Sequence, residues 1–329
     1  MKRLLLIALV GILLHSCKIG KNYRGTELSQ PTSYAQEDPG RTVAYDSVNT
    51  DSLELSTADL LWWNLYDDPV LDSLITTAMN NNRDALIAAE NVLQGRMVLK
   101  NQKAELLPKF DAQGQVQRGN FLLNQVGDAQ NLILGAASAN WELDLWGKLR
   151  RRTEAARASL VASEYGYRGI MLSLISEVAS TYFSLLRAKS QYEISKRNAT
   201  SRDSMLQLIQ ARYDKGIVPI IDVDQATIQY TIAAGAVPQY ERQIVQLENT
   251  LSILIGQNPG PVQTDKPLTE QNYEIDLPLA RPVDLLSRRP DVIASEYDLI
   301  AENARVGAAK GNRLPSLSVS ALVGITADN

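Results

Sequence analysis

The feature that most constrains this chain is the stretch between Pro108 and Pro219, which contains no proline. Within it, Lys148–Lys215 has a continuous helical pattern of 68 residues, or about 100 Å at about 1.5 Å per residue. Heptad steps between Leu160 and Tyr213 reach sixteen positions, of which twelve are apolar, and this spacing is typical of a coiled-coil seam. A second apolar stripe widens the apolar surface in the middle of the helix, so we expect a helix that is buried on two sides. Its members are Ile170, Ile175, Ala179, Phe183 and Leu186.

Two segments before this helix alternate between polar and apolar residues. Lys109–Asn120 places aspartate and glutamine on one face and Phe110 with small apolar residues on the other. Ile133–Trp146 alternates in the same way, and a turn is expected near Asn124–Asp128. Because an alternation with a period of two is typical of a β-strand, we predict one hairpin with a polar, water-facing side and an apolar side.

Glycine and proline mark the end of the long helix. Gly216 is predicted to form its C-cap, and Pro219 prevents its continuation. Asp222 is predicted to cap a returning helix that extends to Gly256. The residues between the two helices therefore form a tight turn at the tip of a helical hairpin.

The C-terminal part repeats an earlier order of elements. After an irregular connector at 257–290, which holds six of the thirteen prolines, a helix is predicted from Asp291 to about Asn312. Asp291 lies 23 residues before Leu314-Pro315, and Asp84 lies 23 residues before Leu107-Pro108, an offset of 207. Each copy leads from a helix into Leu-Pro and a strand, which predicts an internal duplication. A second hairpin and a second long helical pair would follow, so we expect a chain that is incomplete at its C-terminus.

The N-terminus is typical of an exported protein. Lys2 and Arg3 precede the apolar run Leu4–Leu14, which is too short for a transmembrane helix of about 20 residues and suits a signal peptide. Leu14-His15-Ser16-Cys17 resembles a bacterial lipobox, in which the cysteine thiol receives a lipid and becomes the new N-terminus. An ordinary signal peptide with a chance cysteine is the alternative.

The composition excludes several kinds of catalytic site. His15 and Cys17 are the single histidine and cysteine, and a cleaved signal would leave the mature chain with no imidazole. Catalysis by histidine, zinc or haem ligation and a structural disulfide are therefore not expected. Without Lys2 and Arg3 the chain has 31 basic and 37 acidic residues, a net charge of −6 instead of −4, which argues against nucleic acid as a partner. We expect no enzyme activity, no metal and no cofactor apart from covalent lipid on Cys17.

Four stretches together resemble the TolC-like outer-membrane efflux channel family, in its lipoprotein branch. The likeness extends from about Trp62 to the last residue. Its motifs are Trp141 to Arg151 at the strand-to-helix junction, Val178 to Leu186 in the long helix, Arg212 to Val223 at the tip, and Arg288 to Val292 with Leu314-Pro315.

The resemblance implies a homotrimer whose protomers together supply twelve strands to one outer-membrane β-barrel and long coiled-coil helices to a periplasmic α-barrel. The fold class expected is thus mainly α with a membrane β part. A periplasmic membrane-fusion adaptor and an inner-membrane pump would be its partners, and the outer membrane its location. Strands of this length can cross a membrane when tilted, and their edges would be hidden by assembly.

The resemblance also suggests roles for particular residues. The tip would contact the adaptor, the acidic strand residues would face the lumen, and the aromatic and basic residues near the junction would lie at the membrane interface with lipid headgroups. These sets are Gly216, Ile217, Val218, Pro219 and Asp222 at the tip, Glu142 and Asp144 in the lumen, and Trp141, Trp146, Lys148, Arg150 and Arg151 at the interface.

Other interpretations stay open for each of these features. The tip residues also suit a simple turn, Glu142 and Asp144 could be a catalytic carboxylate pair, and the arginine run at 150–152 could bind nucleic acid. The heptad stripe could dock other proteins instead of packing within the trimer. For the whole protein, the alternatives to a passive channel are a lipid-anchored periplasmic coiled-coil scaffold without a pore and a secreted carboxylate hydrolase.

The predicted organisation divides the chain into eight segments. They are the signal peptide 1–16, a lipidated extended segment 17–57, equatorial helices 58–107, the outer-membrane hairpin 108–146, a long helical hairpin 147–256 with its tip at 215–222, an equatorial connector 257–290, a helix of the second repeat 291–313 and the start of a second hairpin 314–329.

Overall fold

The structure is a computed structural model that describes residues 18–25, 62–119, 130–271 and 288–328. The chain forms two compact units. The first comprises 1–30, 90–166 and 286–329, and the second comprises 31–89 and 167–285. Cys17, most of the extended segment that follows the signal peptide and the turn of the predicted hairpin lie outside the described residues.

Helices dominate the described residues, and three strands form one sheet. In chain order the elements are a 3-10 helix at Trp62–Tyr66, α1 at Pro69–Asn81, α2 at Arg83–Ala104, β1 at Lys109–Gly119, β2 at Gln130–Leu143, α3 at Lys148–Asp214, α4 at Ile220–Leu254, a 3-10 helix at Leu268–Glu270, α5 at Pro290–Gly311 and β3 at Leu317–Asp328.

The predicted long helix is confirmed as α3, which has 67 residues. Seam positions in its middle are buried, including Met171, Val178 and Leu185, and Ile175 of the second stripe is fully buried. Further along, Leu206 and Ile209 of the seam are half-buried, whereas the seam residue Tyr213 and the neighbouring Met205 and Leu208 are exposed. An 18-residue window of α3 is apolar enough for a membrane span, but half of it is buried within the chain, as is usual for a core helix.

The core of the second unit lies where α3 packs against α1 and the end of α4. Its buried members include Leu71, Ile75, Tyr182 and Leu251. At its edge, the buried Asp68 carboxylate caps α1 by accepting a hydrogen bond from the Val70 N–H at 2.9 Å. It also accepts hydrogen bonds from the Tyr182 hydroxyl and the Gln271 amide, both at 2.7 Å. Burial and the Asp68 hydrogen bond raise the pKa of Tyr182 far above its ordinary value, so the Tyr182 hydroxyl keeps its proton. Through Asp68, the network links Gln271 of the connector to the helices.

The predicted hairpin is confirmed in the first unit, where β1 and β2 pair as antiparallel strands. β3 adds to the other side of β2, which gives the order β1-β2-β3. The second strand ends at Leu143 and not at Trp146 as predicted. The chain turns at Asp144 because its carboxylate is engaged by the start of α3, as described below.

Within the predicted helical segment 58–107, α1 and α2 are separated at Asn82. Its side-chain oxygen accepts hydrogen bonds from the Asp84 and Ala85 N–H groups at 2.9 and 3.1 Å and so caps α2. Asp222 does not cap α4, because the helix already begins at Ile220 after Pro219. Asp222 lies in the first turn instead, where a carboxylate is favoured by the helix dipole.

Candidate functional site

The sheet has one apolar face and one mainly polar face. Because paired residues point to the same side of a sheet, its register joins the apolar residues of the three strands into a continuous surface. Its rows are Phe110–Ala139–Ala321, Ala112–Ala137–Val323, Gly114–Gly135–Ile325 and Trp141–Val319. The opposite face carries Asp111, Gln113, Gln115, Ser138, Asn140, Glu142, Ser318 and Ser320, with Leu134, Ala136 and Leu322 as its apolar members.

The apolar face is exposed. Phe110, Val323 and Ile325 are 78%, 75% and 78% accessible, which is unusual for side chains that form a continuous patch on a water-soluble protein. Of the described strands, only β2 is paired along both sides. This sheet therefore has an apolar surface and two strand edges that need further partners.

Two tryptophans stand at the base of the sheet. The Trp141 and Trp146 indole N–H groups donate to the carbonyls of Leu106 and Pro315 at 3.0 and 2.8 Å, and both rings are partly exposed. Such a ring has an apolar body and a satisfied polar edge, which suits a boundary between lipid and water. The predicted interfacial role of the two residues stays a prediction.

Glu142 and Asp144 are both engaged at the junction between β2 and α3. Asp144 accepts hydrogen bonds from the Leu149 and Arg150 N–H groups at 2.9 and 3.0 Å, and from the Arg150 guanidinium at 3.1 Å. Glu142 pairs with Lys148. Asp144 thus caps the first turn of α3, a role that sequence reasoning missed although an acidic residue just before a helix is a known start signal.

The placement of Arg151 at the membrane interface was wrong. Its side chain is 2% exposed, so it cannot reach lipid headgroups. The guanidinium donates to the carbonyls of Ile19 and Gly20 and to Glu154. The heptad and charge patterns gave no signal for this burial, because the carbonyl groups that bind Arg151 lie about 130 residues away in the sequence.

Glu154 forms a charged cluster with Arg151 and Lys18. Its carboxylate lies 2.6 Å from the Lys18 ammonium and 2.9 Å from Arg151. Burial opposes ionisation, but the hydrogen bonds from Lys18 and Arg151 outweigh it and lower the pKa of Glu154 below its usual value. The cluster therefore favours the ionised carboxylate.

The predicted tip forms a tight turn between α3 and α4. Gly216 has a φ of +71°, and the N–H groups of Gly216 and Ile217 donate to the carbonyls of Tyr213 and Arg212 at 2.8 and 3.0 Å, which is the Schellman arrangement that glycine favours. Ile217 is 67% exposed.

Beside this turn, α3 and α4 border a groove of about 610 Å³. Val218 and Asp222 are the predicted tip residues that line it, together with Arg202, Met205 and Arg212 of the long helix. Gly216, Ile217 and Pro219 lie at the turn itself. The tip thus combines the exposed apolar side chain of Ile217 with a groove that is lined by both acidic and basic side chains.

The predicted lipid attachment at Cys17 lies outside the described residues, but the chain is described again from Lys18. In the described parts of the chain, no group of three histidine, cysteine, aspartate or glutamate side chains could hold a metal ion.

Comparison with known proteins gives consistent results. A family model described as outer membrane efflux protein matches residues 74–257, more than half of the chain. The antibiotic efflux pump outer membrane protein ArpC of Pseudomonas putida is 29% identical over 98% of this chain, which spans 66% of ArpC. Among solved structures, the CmeC outer membrane channel of Campylobacter jejuni superposes with a TM-score of 0.77 at 21% identity, over 95% of this chain and 70% of CmeC. A crystal structure of CusC has the same TM-score and identity, over 94% of this chain and 68% of CusC.

Proposed function

The chain belongs to the outer membrane efflux protein family, and we propose from this premise that it is a subunit of an outer-membrane channel. The channel would be a passive conduit that completes the route of an efflux or export system. The family is one of efflux proteins and not of enzymes, and no step of the proposed function requires a reaction.

The apolar face of the sheet is the observation that carries this proposal. Val116, Val323 and Ile325 are exposed on the same face, while Asp111 and Gln113 lie on the other. A strand that alternates in this way can present one side to lipid and the other to a water-filled lumen. A lipid-anchored coiled-coil scaffold without a pore would gain nothing from such a sheet, so the channel is favoured over that alternative.

We further propose that the channel is a homotrimer. A membrane sheet must have its strand edges paired, and the outer edges of β1 and β3 are unpaired in the described residues. In the twelve-stranded barrel that the family resemblance implies, neighbouring protomers around a threefold axis would pair such edges and enclose a lumen. The half-buried and exposed part of the seam, which includes Leu206, Ile209 and Tyr213, would pack against neighbouring helices of the same assembly.

At the tip, we propose contact with a periplasmic adaptor that connects to an inner-membrane pump. The exposed Ile217 and the groove lined by Val218 and Asp222 support this role, because apolar anchors beside charges are typical of transient interfaces. The turn itself needs only Gly216 and Pro219, so the exposure of Ile217 is not explained by local structure alone.

A lipid on Cys17 is proposed from the lipobox pattern. The chain immediately after it is bound to the base of the sheet, since the Ile19 N–H donates to the Trp146 carbonyl at 3.1 Å. A lipid at residue 17 would therefore lie close to the level at which the strands leave the helices.

The proposal is tested by electrical conductance of the purified protein in a planar bilayer, together with its mass in mild detergent. We expect a trimer and discrete conductance steps. A monomer that stays soluble without detergent once the lipid is removed would support the scaffold instead. A Cys17→Ala variant should lose acyl labelling, and unchanged labelling would refute the lipid attachment.

A further inference from the structure

Residues 18–20 are held by their backbone on a specific surface of the first unit. The Ile19 N–H donates to the Trp146 carbonyl at 3.1 Å, and the Ile19 carbonyl accepts from Arg151 Nε at 2.9 Å. The Gly20 carbonyl accepts from Arg151 Nη2 at 2.5 Å. These bonds are made by backbone groups of residues 19 and 20 and by no side chain of either residue.

Two glycines allow the close approach of this segment. A Cβ at Gly20 would lie 2.9 Å from the Cα of Gly307, and a Cβ at Gly147 would lie 3.1 Å from the Cα of Lys18. Both residues also have positive φ, +94° and +74°, so side chains are disfavoured there for two reasons. The segment fits because Gly20 in the segment and Gly147 in the surface both lack a side chain.

A third glycine makes room for the arginine. A Cβ at Gly307 of α5 would lie 3.0 Å from Arg151 Cδ. Arg151 is thus enclosed between α5 and the segment, with its remaining hydrogen bond to Glu154 at 2.9 Å. An enclosed guanidinium needs acceptors for its N–H groups, and the two carbonyls of the segment supply them.

We propose that Trp146, Gly147, Arg151, Glu154 and Gly307 form a seat that binds residues 18–20, and that Arg151 is its positioning residue. The seat holds the first residues after Cys17 at the base of the sheet, so these residues belong to the folded unit. If Cys17 carries a lipid, as the proposed function holds, the anchor then begins one residue from the seat, since consecutive Cα atoms are about 3.8 Å apart. The seat therefore fixes the depth of the anchor relative to the strands.

Trypsin tests the seat on the full chain, because Lys18 and Lys21 are exposed on the bound segment while cleavage requires the segment to leave the surface. We measure by mass spectrometry the rate at which the N-terminal peptide is lost. In Arg151→Met the rate should rise at least about tenfold, because hydrogen bonds from a charged donor are lost. Arg152→Met is the matched control, since Arg152 is exposed and bonds to Asn312, and its rate should equal that of the unsubstituted chain.

A second pair of variants does not depend on the stability of α3. Gly20 and Gly25 both have positive φ, but apart from the chain neighbours no described residue lies within 4 Å of a Cβ at Gly25. Gly20→Ala should accelerate cleavage several-fold more than Gly25→Ala, because only Gly20 contacts α5. Equal rates for these two variants, or an Arg151→Met chain as resistant as the Arg152→Met chain, would overturn the seat.

The seat and the lipid attachment can fail independently. In a Cys17→Ala chain the seat should still protect the segment from trypsin, because it binds residues 18–20 and not the lipid. Loss of that protection would contradict the seat as proposed. Absence of acyl label in the unsubstituted chain would instead overturn the lipid attachment, and the trypsin rates would still decide the seat.

Discussion

The two ends of α3 are built in different ways. At its start, Asp144 caps the first turn and Arg151 is enclosed by chain segments that are distant in sequence. At its end, the N–H groups of Gly216 and Ile217 close the helix by donating to the carbonyls of Tyr213 and Arg212. Apart from its chain neighbours, no described residue lies within 4 Å of the position of a Cβ at Gly216. The start is specified by tertiary contacts, whereas the tip is specified by local chain geometry. Substitutions at the start should therefore affect folding, and those at the tip should affect mainly what binds there.

Two arginines of α3 give the largest expected contrast. Arg151→Ala removes a buried guanidinium with three acceptors, so we expect the free energy of unfolding to fall by about 2–4 kcal/mol. Arg212→Ala replaces an exposed residue in the last turn of α3, and we expect the free energy of unfolding to change by less than about 0.5 kcal/mol. Urea unfolding in mild detergent, followed by circular dichroism, measures both. A similar loss of unfolding free energy in the two variants would contradict the proposed difference between the start and the end of α3.

Two glycines with nearly equal φ sharpen the comparison. Gly147 and Gly216 have φ of +74° and +71°, so alanine costs about 1 kcal/mol at either position from the backbone alone. At Gly147 the new Cβ also meets Lys18 Cα at 3.1 Å, so we expect a total of about 2 kcal/mol or more there. The same unfolding experiment compares them, and a Gly216→Ala chain that is the less stable of the two would contradict the account.

The two aspartates near the helix starts should differ less. Asp144→Ala removes two hydrogen bonds to backbone N–H groups and one to Arg150, which should cost about 1–2 kcal/mol. Asp222→Ala removes only a carboxylate from the first turn of α4, worth about 0.3–1 kcal/mol. Asp144→Asn should recover part of the lost stability because its oxygen can still accept, and no recovery would argue against capping.

The smallest effect is a pH dependence at the start of α3. The hydrogen bonds from Lys18 and Arg151 outweigh burial and hold the pKa of Glu154 below its ordinary value of 4.5. A lowered pKa stabilises the fold above that ordinary value, and this contribution is lost as the pH falls through the lower folded value. Unfolding measured at neutral and acid pH should show a smaller acid loss in Glu154→Gln than in the unsubstituted chain. The same acid loss in both would show that Glu154 does not contribute.

Sequence reasoning was most successful where structure is local or periodic. The length of α3, its seam, the Gly216 turn and the alternating strands all follow from patterns that neighbouring residues set. The misplacement of Arg151 has a non-local cause. Arg151 appeared to belong to a basic surface run, but carbonyls of residues 19 and 20 and space provided by Gly307 bury it. Such contacts join distant parts of the chain and leave no periodic signal in the sequence.

The central claim is that one face of the sheet lies in lipid and the other in water, and neighbouring residues of β1 test it most directly. Phe110→Cys and Val116→Cys place a thiol on the apolar face, and Asp111→Cys and Gln115→Cys place one on the polar face. In outer membranes, a lipid-soluble thiol reagent should label the first pair and a membrane-impermeant maleimide the second, with the unsubstituted chain as background. Equal labelling of all four by the impermeant reagent would contradict the account.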